Sequence, residues 1–341
     1  MKPFEQTERK EIISRRNFLK AAVAGGVVSA AAISGTVLLT PDNYQAATYI
    51  SSVKGYHDHL KEHMLDGFKE LGLGRKNISG KRVMLKPNLV EPHIGAGHIN
   101  THPLVVRAAI EAFLHFGASE IIVAEGSGHR NDSFLILEES GLAEVLAEDR
   151  IPFVDLNRAD IFVVKNQGSQ TRLSHLLLPL EIIKADIIVS MAKMKTHHWT
   201  GATLTMKNLF GIMPGAYYGW PKNVLHMAGI QECIIDINST VKPQVAIVDG
   251  IIGMEGDGPI MGTPVNSGAL VMGRNLPAVD ATCARIMGLN PDKIGYLAEA
   301  SKTLGPIRAK LIEQRGESIE SVSKPYRLID DIPAHRNLRL V

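Results

Sequence analysis

Hydrophobic positions along this chain change period several times. Six short runs are nearly continuous in aliphatic residues: "RVMLKPNLV" from Arg82, "EIIVAEG" from Glu120, "IPFVDLN" from Ile151, "ADIIVSMAK" from Ala185, "QVAIVDGII" from Gln244 and "GALVMGR" from Gly268. Unbroken aliphatic runs of this length fit strands covered on both faces. Between them, apolar residues recur at helical spacing over 55–71, 103–116, 133–148, 224–238 and 277–288. Strands alternating with amphipathic helices predict an α/β fold, a mostly parallel Rossmann-like sheet with helices on both faces in a single large domain. That domain is expected over residues 48–300. Residues 301–341 carry few core signals and are expected to wrap the surface as a C-terminal tail.

In such a sheet, ligands bind beyond the carboxyl ends of the strands. Polar residues directly after a strand are therefore site candidates, and four loops qualify. In "KPNLVEPHIGAGHINTHP", Lys86 and Asn88 flank a proline that fixes the backbone. Asn100 or Thr101 is placed to cap the following helix, with Pro103 in its first turn, and a helix start favours an anion. "AEGSGHR" from Ala124 is a flexible turn and a weak signal, lacking the dinucleotide fingerprint. "MAKMKTHHWTGATLTMKNLFG" gathers Lys193, Lys195, Thr196, His197, His198, Lys207 and Asn208 where a buried strand is expected to end. Lysines beside core strands call for an acidic partner or a ligand. "VDGIIGMEGDGPIMGTP" holds Asp249, Glu255 and Asp257 among glycines, which suits a hard cation of the Mg or Ca type or general bases. Asp280 sits on an otherwise apolar helix and joins these carboxylates as a candidate metal ligand. Trp199, Tyr217, Tyr218 and Trp220 either line a pocket or pack the long loop.

Composition narrows the field. The chain has 341 residues, 45% of them hydrophobic, enough for a sizeable core. Net charge is +2, yet residues 1–20 hold six basic and three acidic side chains, leaving 31 basic against 32 acidic in the rest. A near-neutral body disfavours nucleic acid as a partner. Two cysteines, Cys233 and Cys283, are too few for a cysteine-ligated iron–sulfur cluster, and each reads as a buried core residue rather than half of a disulfide. "HLKEH" from His59 matches an inverted zinc-protease pattern, but it lies outside the loop set and reads as a solvated helix face.

The N-terminus is the most specific feature. "SRRNFLK", Ser14 to Lys20, precedes 19 uncharged residues and is similar to the twin-arginine export signal. Residues 1–47 are expected to be a signal peptide or an N-terminal anchor, with the apolar stretch 21–39 touching the membrane. The twin-arginine translocase is then a partner during export. The protein is expected in the periplasm or on the outer face of the cytoplasmic membrane.

The loops together resemble the family called domain of unknown function DUF362. The resemblance rests on "LKPNLV", "THP" at a helix start, "MAKMKTH", "TMKNLFGIMPG", "DGIIGMEGDGPIMGTP" and "AVDATCARIMG", in that order. It implies fold and site rather than a reaction, because the family's biochemistry is not established. Many relatives carry a ferredoxin-like iron–sulfur segment whose cysteines this chain lacks.

Two functions follow as expectations. The first is an exported enzyme acting on an anionic small molecule bearing a phosphate or carboxylate. Lys86, Asn88, Thr101, Lys193, Lys195, Thr196, Lys207 and Asn208 would hold the anion, and His197, His102, Glu255 and Asp249 would move protons. Asp249, Glu255, Asp257 and Asp280 would ligate a divalent metal. The second is a non-catalytic carrier or assembly factor holding the same ligand, with a redox protein as a weaker third.

Overall fold

The computed structural model describes residues 45–92, 94–128 and 132–340. The twin-arginine stretch, the apolar run 21–39 and His129 lie outside the described residues.

The strands are β1 (Ala46–Ser52), β2 (Arg82–Lys86), β3 (Glu120–Glu125), β4 (Phe153–Asp155), β5 (Ile161–Lys165), β6 (His175–Pro179), β7 (Ile187–His197), β8 (Gly201–Thr203), β9 (Val245–Glu255), β10 (Thr263–Gly273) and β11 (Ile312–Gly316). The main helices are α1 (Leu60–Glu70), α2 (Pro103–His115), α3 (Ser133–Glu139), α4 (Leu142–Glu148), α5 (Thr205–Asn208), α6 (Ile230–Val241) and α7 (Leu276–Ile286). Strands β5 and β6 form a separate antiparallel pair. The others build one sheet in the order β11-β1-β10-β9-β7-β2-β3-β4, with β8 hydrogen-bonded to the end of β7.

From β9 to β4 every neighbouring pair is parallel. The chain lays down β2, β3 and β4 in one direction, then returns to place β7 and β9 on the other side of β2. Strand order thus reverses between β2 and β7, and their carboxyl ends open a crevice there. Beyond β9 the sheet continues through antiparallel β10 and β1, and β11 joins β1 in parallel. The fold is α/β with a mostly parallel sheet.

Successive strand residues face opposite cores. Val83, Leu85, Ile121, Val123, Val189 and Ile247 pack with α1, α2 and α4. Met84, Ile122, Ile188, Ala192 and Val248 pack with α6 and α7 on the other side. Burial on both faces explains why these strands read as continuous aliphatic runs.

The structure departs from the sequence pattern in identifiable ways. The helix expected over 133–148 is two, divided where Gly141 takes φ +75 as the start of α4. The pattern over 224–238 likewise splits into a short helix, Asn223–Ala228, and α6, divided at Gly229 with φ +109. A glycine tolerates these positive φ values and a helix interior does not. Strand β7 does not stop near Lys193 but runs to His197, and all eleven of its residues are buried. Its extension is paired on one side by the long β9 and on the other by β8. The lysines expected in a loop therefore stand within a strand. Residues 301–341 do more than wrap the surface: they supply β11, and Tyr326 is fully buried.

Candidate functional site

Lys86, the last residue of β2, is fully buried. Its Nζ donates to Glu125 Oε2 at 2.6 Å, to Asn208 Oδ1 at 3.0 Å and to the Pro87 carbonyl at 2.9 Å, matching its three donors with three acceptors. Glu125 also accepts the Leu89 and Gly126 amides at 3.1 and 2.8 Å. Asn208 donates its side-chain amide to Lys86 O and Ser190 Oγ, both at 3.1 Å, so α5 is bolted to the ends of β2 and β7. A Cβ at Gly211 would stand 2.1 Å from Glu125 Oε1 and 2.7 Å from Lys86 Nζ, so only glycine lets the chain pass this pair.

Lys193 and Asp249 are register partners on β7 and β9 and form a second buried ion pair, 2.7 Å apart. Asp249 also accepts from Tyr56 Oη at 3.1 Å and from the His102 amide at 3.0 Å. His102, rather than Asn100 or Thr101, caps α2, its Nδ1 accepting the Leu104 amide. The anion at this helix start is thus the protein's own Asp249 carboxylate. Thr101 Oγ1 accepts the Asn88 amide at 2.9 Å and donates to the Met191 carbonyl at 2.9 Å, tying the first loop to β7. The His102 ring stacks on Tyr56 with centroids 3.6 Å apart, and burial lowers its pKa to about 4.

Asp280, fully buried on α7, accepts the Thr205 and Met206 amides at 2.8 and 3.0 Å and the Thr205 hydroxyl. It anchors the first turn of α5 and so positions Lys207 and Asn208. Burial raises its pKa to about 7. Glu255 accepts the Arg327 amide at 2.8 Å, and Thr196 Oγ1 donates to the Gly256 carbonyl at 2.7 Å. Asp257 faces His198 at 3.4 Å. The four carboxylates expected to share a metal are therefore engaged in four different places: Asp249 with Lys193, Glu255 with Arg327, Asp257 with His198 and Asp280 with Thr205. Among the described residues no group of three or more His, Cys, Asp or Glu side chains is arranged to hold a metal ion.

A cavity of about 580 Å³ opens at the β2–β7 crevice. Of the expected anion-binding residues, Lys86, Asn88, Lys195, Lys207 and Asn208 line it, while Thr101, Lys193 and Thr196 do not. Among the candidate acids and bases, His197 lines it and His102, Asp249 and Glu255 do not. Asp257 lines it as well.

Three of the lining lysines have no carboxylate partner among the described residues. Lys195 is fully buried, and its Nζ reaches only the Ile99 and Pro259 carbonyls, at 2.9 and 3.2 Å. Burial, with Lys193 and Lys207 nearby, holds its amine well below the usual value. Lys207 lies over the Phe210 ring at 4.4 Å, and burial lowers its pKa to about 8. Lys222 donates to Asn157 Oδ1, and burial lowers its pKa to about 7. Two further polar atoms of the lining, Asn88 Oδ1 and Thr203 Oγ1, are buried without a hydrogen-bond partner among the described residues. Unmatched buried polar atoms are costly and mark places where a ligand or water completes the set.

Two of the three lining histidines, His197 and His226, are held in opposite tautomers. His197 Nδ1 accepts the Trp199 amide at 3.0 Å, which leaves the proton of the neutral ring on Nε2. His226 Nδ1 faces the Lys222 carbonyl at 3.0 Å and must donate, which leaves Nε2 as an acceptor. Burial pushes both rings below the ordinary imidazole value. Lys222 and His226 escape a search restricted to strand ends, because they stand at the start of a short helix in a long loop. The helix expected over 224–238 contains His226, and Lys222 stands one helical turn before it, just outside that stretch. The two cysteines are buried and free.

Fold and cavity define an α/β protein with a lysine-lined crevice at the point where strand order reverses. The chain belongs to the family described as domain of unknown function (DUF362), whose model matches residues 83–285, from β2 nearly to the end of α7. It is 28% identical over 291 residues to the thylakoid-associated protein sll1697 of Synechocystis sp., across 82% of this chain and 83% of that one. Among solved structures, the lactate racemase apoprotein from Thermoanaerobacterium thermosaccharolyticum aligns with a TM-score of 0.41 and 14% identity, over 72% of this chain and 57% of the racemase. A Thermotoga maritima protein aligns with a TM-score of 0.32 and 14% identity, over 63% of this chain and 55% of its own. The present chain thus spans little more than half of either structural neighbour, and these distant likenesses carry no argument about function.

Proposed function

We propose that this protein is an exported enzyme acting on an anionic small molecule, held through its phosphate or carboxylate in the cavity between β2 and β7. The observation that carries this reading is Lys195, a fully buried lysine whose amine meets only carbonyl oxygens. An ionised group without a counter-charge is very unfavourable in such a place, and a bound anion supplies the missing charge. Lys207 and Lys222 add two amines around the same space, with Asn88 and Thr203 as hydrogen-bonding partners. Lys86 contributes to the wall while its charge is met by Glu125.

His197 and His226 are the proton-transfer candidates of this reading. His226 presents a free Nε2 that can take up a proton as a general base, while the neutral His197 ring offers an Nε2–H that can polarise or orient the ligand. The second reading, a carrier or assembly factor without catalysis, is favoured by the placement of Asp249 and Glu255. Both carboxylates expected to act as bases stand outside the cavity and are engaged elsewhere.

The chain is proposed to reach its site of action through the twin-arginine route, on the strength of "SRRNFLK". The Synechocystis relative is named as a thylakoid-associated protein. Among the described residues no helix is long and apolar enough to cross a membrane. Replacing Arg15 and Arg16 by lysine is expected to leave the protein in the cytoplasm, and unchanged export of that variant would refute the route.

Thermal unfolding of the intact protein with added inorganic phosphate, pyrophosphate or acetate tests the anion reading. At least one probe is expected to raise the melting temperature in proportion to the logarithm of its concentration. Lys207→Met, at a partly exposed side chain, is expected to remove most of that rise. A melting temperature indifferent to all three anions would overturn the reading. His226→Gln then separates the functions, since retained binding with lost turnover marks the enzyme.

A further inference from the structure

Polarity in this cavity runs against depth. Lys195 and Lys222 are 0% and 1% exposed, whereas Trp199 and Met261 are 54% and 78% exposed, and all four line the same space. Folded proteins ordinarily place these residue types the other way round. The apolar exposure continues along segments that supply the lining. Met227, 88% exposed, directly follows His226, and Ile94 lies on the loop that contributes Leu89, Val90 and Glu91. Single exposed apolar residues need no explanation, but Trp199 and Met261 line the same opening, and such a pairing marks a surface for an apolar partner.

We infer that the ligand is an amphiphile, with an anionic head on Lys195, Lys207 and Lys222 and an apolar chain leaving the cavity over Trp199 and Met261. This inference rests on the anion reading above and names the class of molecule it concerns. A small, fully polar anion would use the lysine floor and leave the aromatic and thioether rim without a role. A head bearing an alkyl or isoprenoid-like chain satisfies both. Trp199 is suited to such an edge, because its ring combines a large apolar face with one polar tip. It meets the half-buried His226, which lines the same cavity, at 5.1 Å between ring centroids. Phe210, also in the lining and beneath the Lys207 amine, extends the apolar path inward.

The test compares ethyl phosphate with octyl phosphate, the latter below its micellar concentration, by titration calorimetry on the intact protein. Each buried methylene is worth roughly fourfold in affinity, so octyl phosphate is expected to bind at least about tenfold more tightly even if only part of its chain is covered. In a Trp199→Ser, Met261→Ser double variant that ratio is expected to fall below about threefold. Equal affinity for the two phosphates in the unaltered protein would overturn this inference and leave the anion reading standing. Binding of neither would overturn both. Phosphatidylcholine vesicles with and without phosphatidic acid separate the sources of such a molecule. Sedimentation with the acidic vesicles that requires Trp199 and Met261 identifies a bilayer lipid. Octyl phosphate binding without vesicle association identifies a free amphiphile. Both results support the class.

Discussion

Lys193 and Asp249 are joined at 2.7 Å, fully buried, at partner positions on adjacent parallel strands and outside the cavity that the neighbouring Lys195 lines. Both residues satisfy every criterion by which the sequence nominates a site. Their geometry is that of a structural ion pair, with Tyr56 donating to Asp249 and accepting from Lys193 at 2.8 Å. Removing one partner strands a buried charge, which costs about 3–5 kcal/mol. Asp249→Asn is therefore expected to lower the free energy of unfolding by that amount. Replacing both residues by apolar ones of similar volume is expected to recover most of the loss. Urea denaturation of the single and double variants decides the matter, and a fully stable Asp249→Asn protein would contradict the assignment.

Anion affinity is expected to fall as pH rises. Burial lowers the Lys222 and Lys207 amines to about 7 and about 8. A lysine is cationic below its pKa, so attraction for an anion is present under mildly acidic conditions and is lost as pH climbs through those values. Sulfate is the appropriate probe, because its own charge does not change over this range. Its dissociation constant is expected to increase at least about tenfold between pH 6 and pH 9. Lys207→Arg, which keeps its charge throughout, is expected to flatten the profile. A pH-independent affinity would show that these amines do not meet the anion.

Asp280 links stability to pH in a defined direction. Its folded-state pKa, about 7, lies above the ordinary value of 3.8, so the folded protein binds a proton that the unfolded chain releases. Its stabilising contribution is fully present below about pH 4 and is lost as pH rises through about 7. Asp280→Asn keeps an acceptor for the Thr205 and Met206 amides but cannot ionise. Its unfolding midpoint is expected to vary less between pH 5 and pH 8 than that of the parent protein. A steeper dependence in the variant would refute the sign.

Gly211 offers a check on the Lys86–Glu125 clamp. A methyl group there would collide with both charged ends. Gly211→Ala is expected to destabilise the protein by about 1–3 kcal/mol, the usual range for overpacking, and to weaken anion binding by displacing Lys86 from the cavity wall. Gly128→Ala, also in the lining but with open space around its Cβ position, serves as the control. Equal effects from the two would show that the clamp does not depend on the glycine.

Much of this arrangement was legible in advance. Aliphatic runs identified β2, β3, β4, β7, β9 and β10, because strands buried on both faces have no polar period to hide them. The strand-end rule drew attention to Lys86, Asn88, Lys195, His197, Lys207 and Asn208, all of which line one cavity. Three things were not legible. A lysine on a buried strand gives no sign of whether its counter-charge is a carboxylate across the sheet or a ligand. The register of β7 against β9 decided that Lys193 meets Asp249, while among the described residues no carboxylate meets Lys195. The reach of β7 past Lys193 depended on pairing with β8 and β9, whose positions are set by distant parts of the chain. Lys222 and His226 entered the site with the short helix Asn223–Ala228, which no strand end announces.

The sequence by itself determined six strands of the main sheet and most of the helical stretches, that the sheet is mostly parallel, and at which end of it charged chemistry collects. Those properties are local, written in hydrophobic period and in the residues that follow each strand. Tertiary structure alone decided which charges cancel and which face the cavity. That outcome depends on strand register and on long-range pairs such as Lys86–Glu125 and Asp280–Thr205, where a displacement of a few ångströms turns an amine facing the cavity into half of a buried salt bridge.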